Sequence, residues 1–184
     1  MVNRVQLYAR TASGKGFLQY LRIPFRSPTH IRGVCSGASK VWISDYYYSG
    51  SDAEFWRKFN ARIVDYDEIY GAQDDPRRNT LGMKLGHERF VSDPKDPQLW
   101  QAHFGNGLKY FNVSFTKVGA HALAGFVSGS ETSGHLFDPN FGQFDIGQGH
   151  YAKWSDLWVD LWEYYGIANV IIFTAEMAEV IALD

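Results

Sequence analysis

The chain has 184 residues, of which 45% are hydrophobic and 16% are aromatic, and its formal net charge is -2. This length and composition predict one packed globular domain over residues 1–184 and exclude a disordered chain. The lysines and arginines are scattered along the chain. We therefore expect no nucleic-acid partner, because binding a phosphate backbone requires a concentrated basic surface.

The chain contains one cysteine, Cys35. A single cysteine excludes an internal disulfide and a multi-cysteine zinc site, and we expect neither a metal nor a cofactor. Residues 1–23 carry charged or polar groups throughout, so no cleavable signal peptide is expected. No apolar run approaches the roughly 18 residues of a membrane span. The thiol is thus available for chemistry.

Cys35 begins a segment with helical periodicity, in which apolar residues recur at i+3 and i+4. The predicted helix presents Cys35 in its first turn and buries Trp42 and Ile43. A thiol at this place gains from the helix dipole and the free amides, which favour the thiolate. A second helix is predicted over residues 52–64, and residues 71–107 are predicted to form a loop with short helical pieces.

Residues 110–116 alternate between apolar and polar side chains, which predicts a strand. Residues 120–127 and 135–138 flank a small polar segment and are predicted to form a hairpin. Residues 154–165 carry an apolar stripe at helical spacing and predict an amphipathic helix, followed by a last strand over residues 169–174.

The predicted hairpin sets a register between its two strands. If it is symmetric about Ser130 and Glu131, Leu123 lies opposite Asp138. His121 lies two residues from Leu123 and shares its face. We therefore expect His121 and Asp138 to meet diagonally across the strand pair.

The candidate bases are the six histidines His30, His87, His103, His121, His135 and His150. His121 is preferred because its neighbours are small and because a carboxylate returns beside it. His135 is the alternative, but it precedes Asp138 by three residues on one strand, which places the two on opposite faces. Asp138 would accept the imidazole N–H, with Asn140 as the second candidate for this role. The structural alternatives are an inert, buried Cys35 and an Asp138 that only begins a turn.

Three motifs carry a family resemblance. Gly-Val-Cys at 33–35 with Trp42, Gly-x-His-Ala-x-x-Gly at 119–125 and Phe-Asp-Pro-Asn-Phe-Gly at 137–142 resemble the YopT/AvrPphB group of papain-like cysteine proteases. These are bacterial effectors delivered into other cells. The resemblance implies an α+β papain-like fold, in which a helical half with the cysteine helix packs on an antiparallel sheet that carries the histidine and the aspartate.

Carried over by position, the resemblance implies Cys35 as nucleophile, His121 as general base and acid, and Asp138 as the group that orients His121. Papain-like enzymes usually place a Gln or Asn before the cysteine to serve the oxyanion, and residues 28–32 contain neither. We expect His30 to substitute, with the Cys35 amide as the second donor.

The resemblance implies a cysteine endopeptidase, a secreted effector or toxin without a cleavable signal peptide. It would cleave a protein in the cytoplasm of a target cell through a thioester acyl-enzyme. The expected partners are that protein substrate and a secretion chaperone or an immunity protein. The alternative is another acyl transfer on the same three residues, by a peptidoglycan amidase, a transglutaminase or a deamidase, since each of these forms a thioester. A binding domain with a dead site is disfavoured because the three residues are intact.

Overall fold

A computed structural model of the chain describes residues 35–49, 72, 82–93, 106–117, 119–127, 134–146 and 151–177. Its elements, in chain order, are α1 (Cys35–Ser49), β1 (Met83–Val91), β2 (Gly107–Phe115), β3 (Ala120–Val127), β4 (Gly134–Asp138), β5 (Gly142–Ile146), α2 (Tyr151–Tyr165) and β6 (Ile167–Met177). The predicted helix over residues 52–64 lies outside the described residues. That residues 1–184 form one domain stays a prediction.

The strands form one sheet in the order β1-β6-β2-β3-β4-β5, and every neighbouring pair is antiparallel. Side chains alternate between the two faces, so each face has its own core. One core packs against α2 and includes Phe111, Val113, Leu123, Leu136, Phe144, Val170 and Ile172. The other packs against α1 and includes Leu108, Tyr110, Ala122, Ala124, Phe137 and Ala175. The sheet thus lies between the two helices.

The cysteine helix is confirmed: α1 begins at Cys35, and Trp42 and Ile43 are fully buried. The Trp42 ring stacks on Phe137 of β4, with ring centroids 5.6 Å apart. Its indole N–H donates to Gln143 Oε1 of β5 at 3.3 Å. Stacking and a satisfied indole nitrogen stabilise a buried tryptophan, so α1 is fixed against the strands that carry the rest of the site.

The amphipathic helix is also confirmed, since Trp154, Leu157, Trp158 and Leu161 of α2 are fully buried. Gly166 ends this helix with a φ of 63°, a conformation that favours glycine. The backbone N–H and the hydroxyl of Thr116 both donate to the Gly166 carbonyl, at 2.8 and 3.0 Å. These bonds fasten the end of α2 to the end of β2.

The predicted α+β class is confirmed, with the cysteine helix packed on an antiparallel sheet. Two strands differ from the sequence-based expectation. Residues 83–91 form the edge strand β1 where a loop with helical pieces is expected, and residues 142–146 form β5. Most of β1 is exposed except at its ends, so it lacks the period-two pattern by which a half-buried strand is recognised. Neither described helix is long and apolar enough to cross a membrane.

Candidate active site

The Cys35 side chain lies at the start of α1, partly exposed. Two hydrogen bonds fix the first turns of α1 against the sheet. The hydroxyls of Ser36 and Tyr110 are 2.8 Å apart, and the Ser39 hydroxyl donates to the Ala122 carbonyl at 3.1 Å. Since Ala122 follows His121 in β3, this second bond places the thiol next to the imidazole.

His121 and Asp138 meet as the hairpin register predicts. The pairing of β3 with β4 runs from Val127 opposite Gly134 to Ala124 opposite Phe137, so the next pair in this register is Leu123 with Asp138. His121 then lies on the diagonal. Its Nε2 is 2.9 Å from Asp138 Oδ1, and the two side chains are 6% and 0% exposed. A bond of this length between buried groups holds the imidazole in one orientation.

The thiol occupies the other side of the imidazole. Cys35 and His121 are hydrogen-bonded through their side chains. Because Nε2 is engaged by Asp138, Nδ1 is the nitrogen left for the sulfur. The three side chains therefore form a continuous chain from thiol to imidazole to carboxylate. This is the arrangement that a nucleophile, a base and an orienting group require.

Two further groups hold the Asp138 carboxylate. The Asn140 backbone N–H donates to Oδ1 at 2.8 Å, and the Tyr165 hydroxyl donates to Oδ2 at 2.9 Å. Asp138 also begins the turn into β5, because its carbonyl accepts from the Phe141 N–H at 3.0 Å. The turn-forming and the orienting interpretations of Asp138 are thus compatible. The Asn140 side chain donates from Nδ2 to the Tyr165 hydroxyl at 3.0 Å.

The electrostatics of the site favour a thiolate and an imidazolium. Burial acts to lower the pKa of His121, but the charge and the hydrogen bond of Asp138, helped by Cys35, raise it to about 10. Burial acts to raise the pKa of Cys35. The hydrogen bond and charge of His121, together with backbone hydrogen bonds to Ala122 and Ser36, outweigh burial and lower this pKa below its ordinary value.

The other histidines do not join these three residues. His135 Nδ1 is 3.0 Å from Gln143 Nε2, and its ring packs on Tyr46 of α1, on the opposite face of the sheet from Asp138. His87 is exposed at the irregularity in β1, and its Nε2 is 3.7 Å from Glu176 Oε1. His30, the expected oxyanion donor, lies outside the described residues, as do His103 and His150.

Tyr165 is the contact of this site that the sequence does not reveal. It belongs to the apolar stripe of the amphipathic helix and is therefore predicted as core. The one feature of the sequence that could have indicated this contact is the position of Tyr165 directly before Gly166, where α2 ends beside β2.

In the part of the chain that the structure describes, no group of three His, Cys, Asp or Glu side chains is placed to hold a metal ion.

Comparisons with known proteins give a family match over part of the chain. No curated protein matches the chain. Among solved structures, the avirulence protein AvrPphB of Pseudomonas is 18% identical, and the match covers 87% of this chain and 100% of that chain at a TM-score of 0.48. Residues 99–177, which include His121 and Asp138, match the model of the family Peptidase_C58, described as Yersinia/Haemophilus virulence surface antigen. This match confirms the resemblance to YopT-type cysteine peptidases that the sequence motifs predict.

Proposed function

We propose that the chain is a cysteine endopeptidase in which Cys35 is the nucleophile, His121 the general base and acid, and Asp138 the orienting carboxylate. The observation that carries the proposal is the unbroken chain of contacts from the thiol through the imidazole to the buried carboxylate. The match of residues 99–177 to a cysteine peptidase family supports it.

The pKa directions define the resting state and the first step. With the pKa of Cys35 lowered and that of His121 raised, the resting state that these shifts favour is a thiolate beside an imidazolium. The thiolate attacks the carbonyl carbon of the scissile peptide, and the carbonyl electrons move to oxygen. The Cys35 backbone N–H, in the first turn of α1, is a donor for that oxyanion, and His30 is the second donor we propose.

Collapse of this intermediate breaks the C–N bond. The His121 imidazolium gives its proton to the departing amine, which leaves an acyl group on the Cys35 sulfur as a thioester. A water molecule then attacks the thioester while His121 takes its proton. The acid departs, and the thiolate and imidazolium are restored. Asp138 stays ionised throughout, since its role is to orient the ring and offset the charge on it.

The virulence description of the matched family supports a protein substrate in a target cell. As finer parts of the same proposal, the protein acts in the target-cell cytoplasm after export without a cleaved signal peptide. A secretion chaperone or an immunity protein is the partner we expect besides the substrate.

The decisive experiment compares cytosolic expression of the wild type and Cys35→Ala, followed by mass spectrometry of N-terminal peptides across the proteome. New N-termini should arise with the wild type and vanish with Cys35→Ala. His135→Ala is the matched control and should yield the wild-type set. Wild-type turnover by purified Cys35→Ala would contradict the nucleophile assignment. Glutamine deamidation or cross-linking without new N-termini would replace peptide cleavage by another acyl transfer on the same residues.

A further inference from the structure

Tyr165 contacts both the carboxylate and the imidazole of the site. Its hydroxyl donates to Asp138 Oδ2 at 2.9 Å, while Asp138 Oδ1 faces His121. Its ring centroid is 5.1 Å from that of His121, with the planes inclined at 43°. The Tyr165 side chain therefore limits the movement of both the Asp138 carboxylate and the His121 imidazole, which the proposed reaction needs in a fixed relative orientation.

The hydroxyl is fixed as a donor. Burial, and then the nearby Asp138 charge, raise the pKa of Tyr165 well above its ordinary value, so the phenol keeps its proton. The Asn140 side chain donates to the same oxygen at 3.0 Å and thereby occupies its acceptor side. The phenolic proton is thus directed to Asp138, and the carboxylate cannot turn without losing this bond.

The ring is also fixed in place. It stacks on Phe115 of β2, with centroids 5.6 Å apart and planes 16° from parallel, and it contacts Phe141 at 6.0 Å. The adjacent Gly166 is fastened to Thr116 by two hydrogen bonds. Tyr165 is therefore supported both by the sheet, through Phe115 and Gly166, and by Phe141 of the turn that follows Asp138.

We propose that Tyr165 is a positioning residue: its hydroxyl holds Asp138 so that Oδ1 faces His121, and its ring limits rotation of the imidazole. This inference rests on the proposed function, since it assigns Tyr165 to the same site. Hydrogen-bond partners that orient metal-binding side chains typically change activity by about 10- to 100-fold when removed, and Tyr165 orients Asp138 in the same way. We expect a loss of that size, confined to kcat.

The test compares Tyr165→Phe, which removes only the hydroxyl, with Tyr164→Phe. Tyr164 is a matched control because it is the neighbouring tyrosine, is 52% exposed and contacts the Tyr165 ring edge-on at 4.9 Å. For Tyr165→Phe we expect kcat to fall about tenfold with KM unchanged. Iodoacetamide labelling of Cys35 at pH 6 should slow as well. Tyr164→Phe should match the wild type in both measurements.

The labelling assay needs no substrate, so it separates this inference from the proposed protease function. If Cys35→Ala keeps turnover, the proposed function fails. If Cys35→Ala is inactive while Tyr165→Phe keeps the wild-type kcat and labelling profile, the inference alone fails. An equal loss of kcat in both phenylalanine variants would also overturn the inference, as would a lower melting temperature of Tyr165→Phe with an unchanged labelling profile.

Tyr165→Leu removes the ring as well and should lose more activity than Tyr165→Phe. Should the leucine variant fail to fold, the phenylalanine pair still decides.

Discussion

Replacement of Asp138 by asparagine removes the charge from the site while leaving the shape of the side chain. The amide has two orientations. With its oxygen in the place of Oδ1, it accepts from both His121 and the Asn140 N–H. With its NH₂ group in the place of Oδ1, the amide would direct a donor at the Asn140 N–H, which is itself a donor. The first orientation places the NH₂ against the Tyr165 hydroxyl, whose hydrogen can rotate away, whereas the backbone N–H of Asn140 is fixed. The Asn140 backbone therefore selects the orientation that preserves the reactive tautomer of His121.

The expected loss is then the electrostatic part of the Asp138 contribution. Two opposite unit charges about 4 Å apart attract by about 4 kcal/mol at an effective dielectric constant of about 20. At about 1.4 kcal/mol per factor of ten, this shifts the equilibrium between the thiolate–imidazolium pair and the neutral pair by roughly 10³-fold, which is the upper limit of the loss of kcat. The value lies below the roughly 10⁴-fold loss that a wrong tautomer produces in a serine-protease triad. Since the Asp138 charge raises the pKa of His121, that pKa should fall in the variant.

The assay is a comparison of purified Asp138→Asn and Asn140→Ala with the wild type, on a substrate identified by the N-terminal peptides, with circular dichroism to establish folding. Asn140→Ala should cost less, because it keeps the backbone N–H and the carboxylate and removes only the contact with Tyr165. Near-wild-type activity of Asp138→Asn together with collapse of Asn140→Ala would refute the reasoning. The side chain that orients His121 would then be the Asn140 amide.

Three more outcomes are expected. His121→Ala should abolish iodoacetamide labelling of Cys35 at pH 6 to 7 and His135→Ala should leave it intact; the reverse ranking would transfer the base to His135. Gly134→Ala should lower the free energy of unfolding by roughly 3 kcal/mol, because its Cβ would lie 2.0 Å from a backbone carbonyl of β3, whereas Gly86→Ala meets nothing within 4 Å and should be near neutral by urea titration. In Cys35→Ala, Asp138 still raises the pKa of His121 above 6.5, so the protonated ring should stabilise the fold fully below pH 6.5 and lose that effect as pH rises through the folded pKa; a melting temperature that does not fall as the pH rises above 6.5 would contradict this.

The hairpin that joins His121 to Asp138 is predictable from sequence alone. Symmetry about residues 130 and 131 predicts the pairing of Val127 with Gly134 that the strands show, and the two-residue period of a strand then decides which side chains share a face. The same rule separates His135 from Asp138. The position of Cys35 at a helix start follows from local periodicity in the same way. Local rules suffice in these cases because each pair is related by one hairpin or one helix.

The edge strand β1 and the contact of Tyr165 with Asp138 escape such rules for different reasons. β1 is stabilised by its pairing with β6, about ninety residues later in the chain, and its exposed middle leaves no hydrophobic alternation.

Tyr165 follows the apolar stripe of α2, and a tyrosine in such a stripe has the same spacing whether its hydroxyl is idle or bound. What distinguishes it is the place where α2 ends. The hydrogen bonds between Thr116 and Gly166 hold the end of α2 at the end of the sheet where β2 finishes and β3 begins. The Tyr165 hydroxyl therefore meets the Asp138 carboxylate. Because the fastening acts on the backbone of Gly166, replacing the Tyr165 hydroxyl should disturb the chemistry before it disturbs the fold.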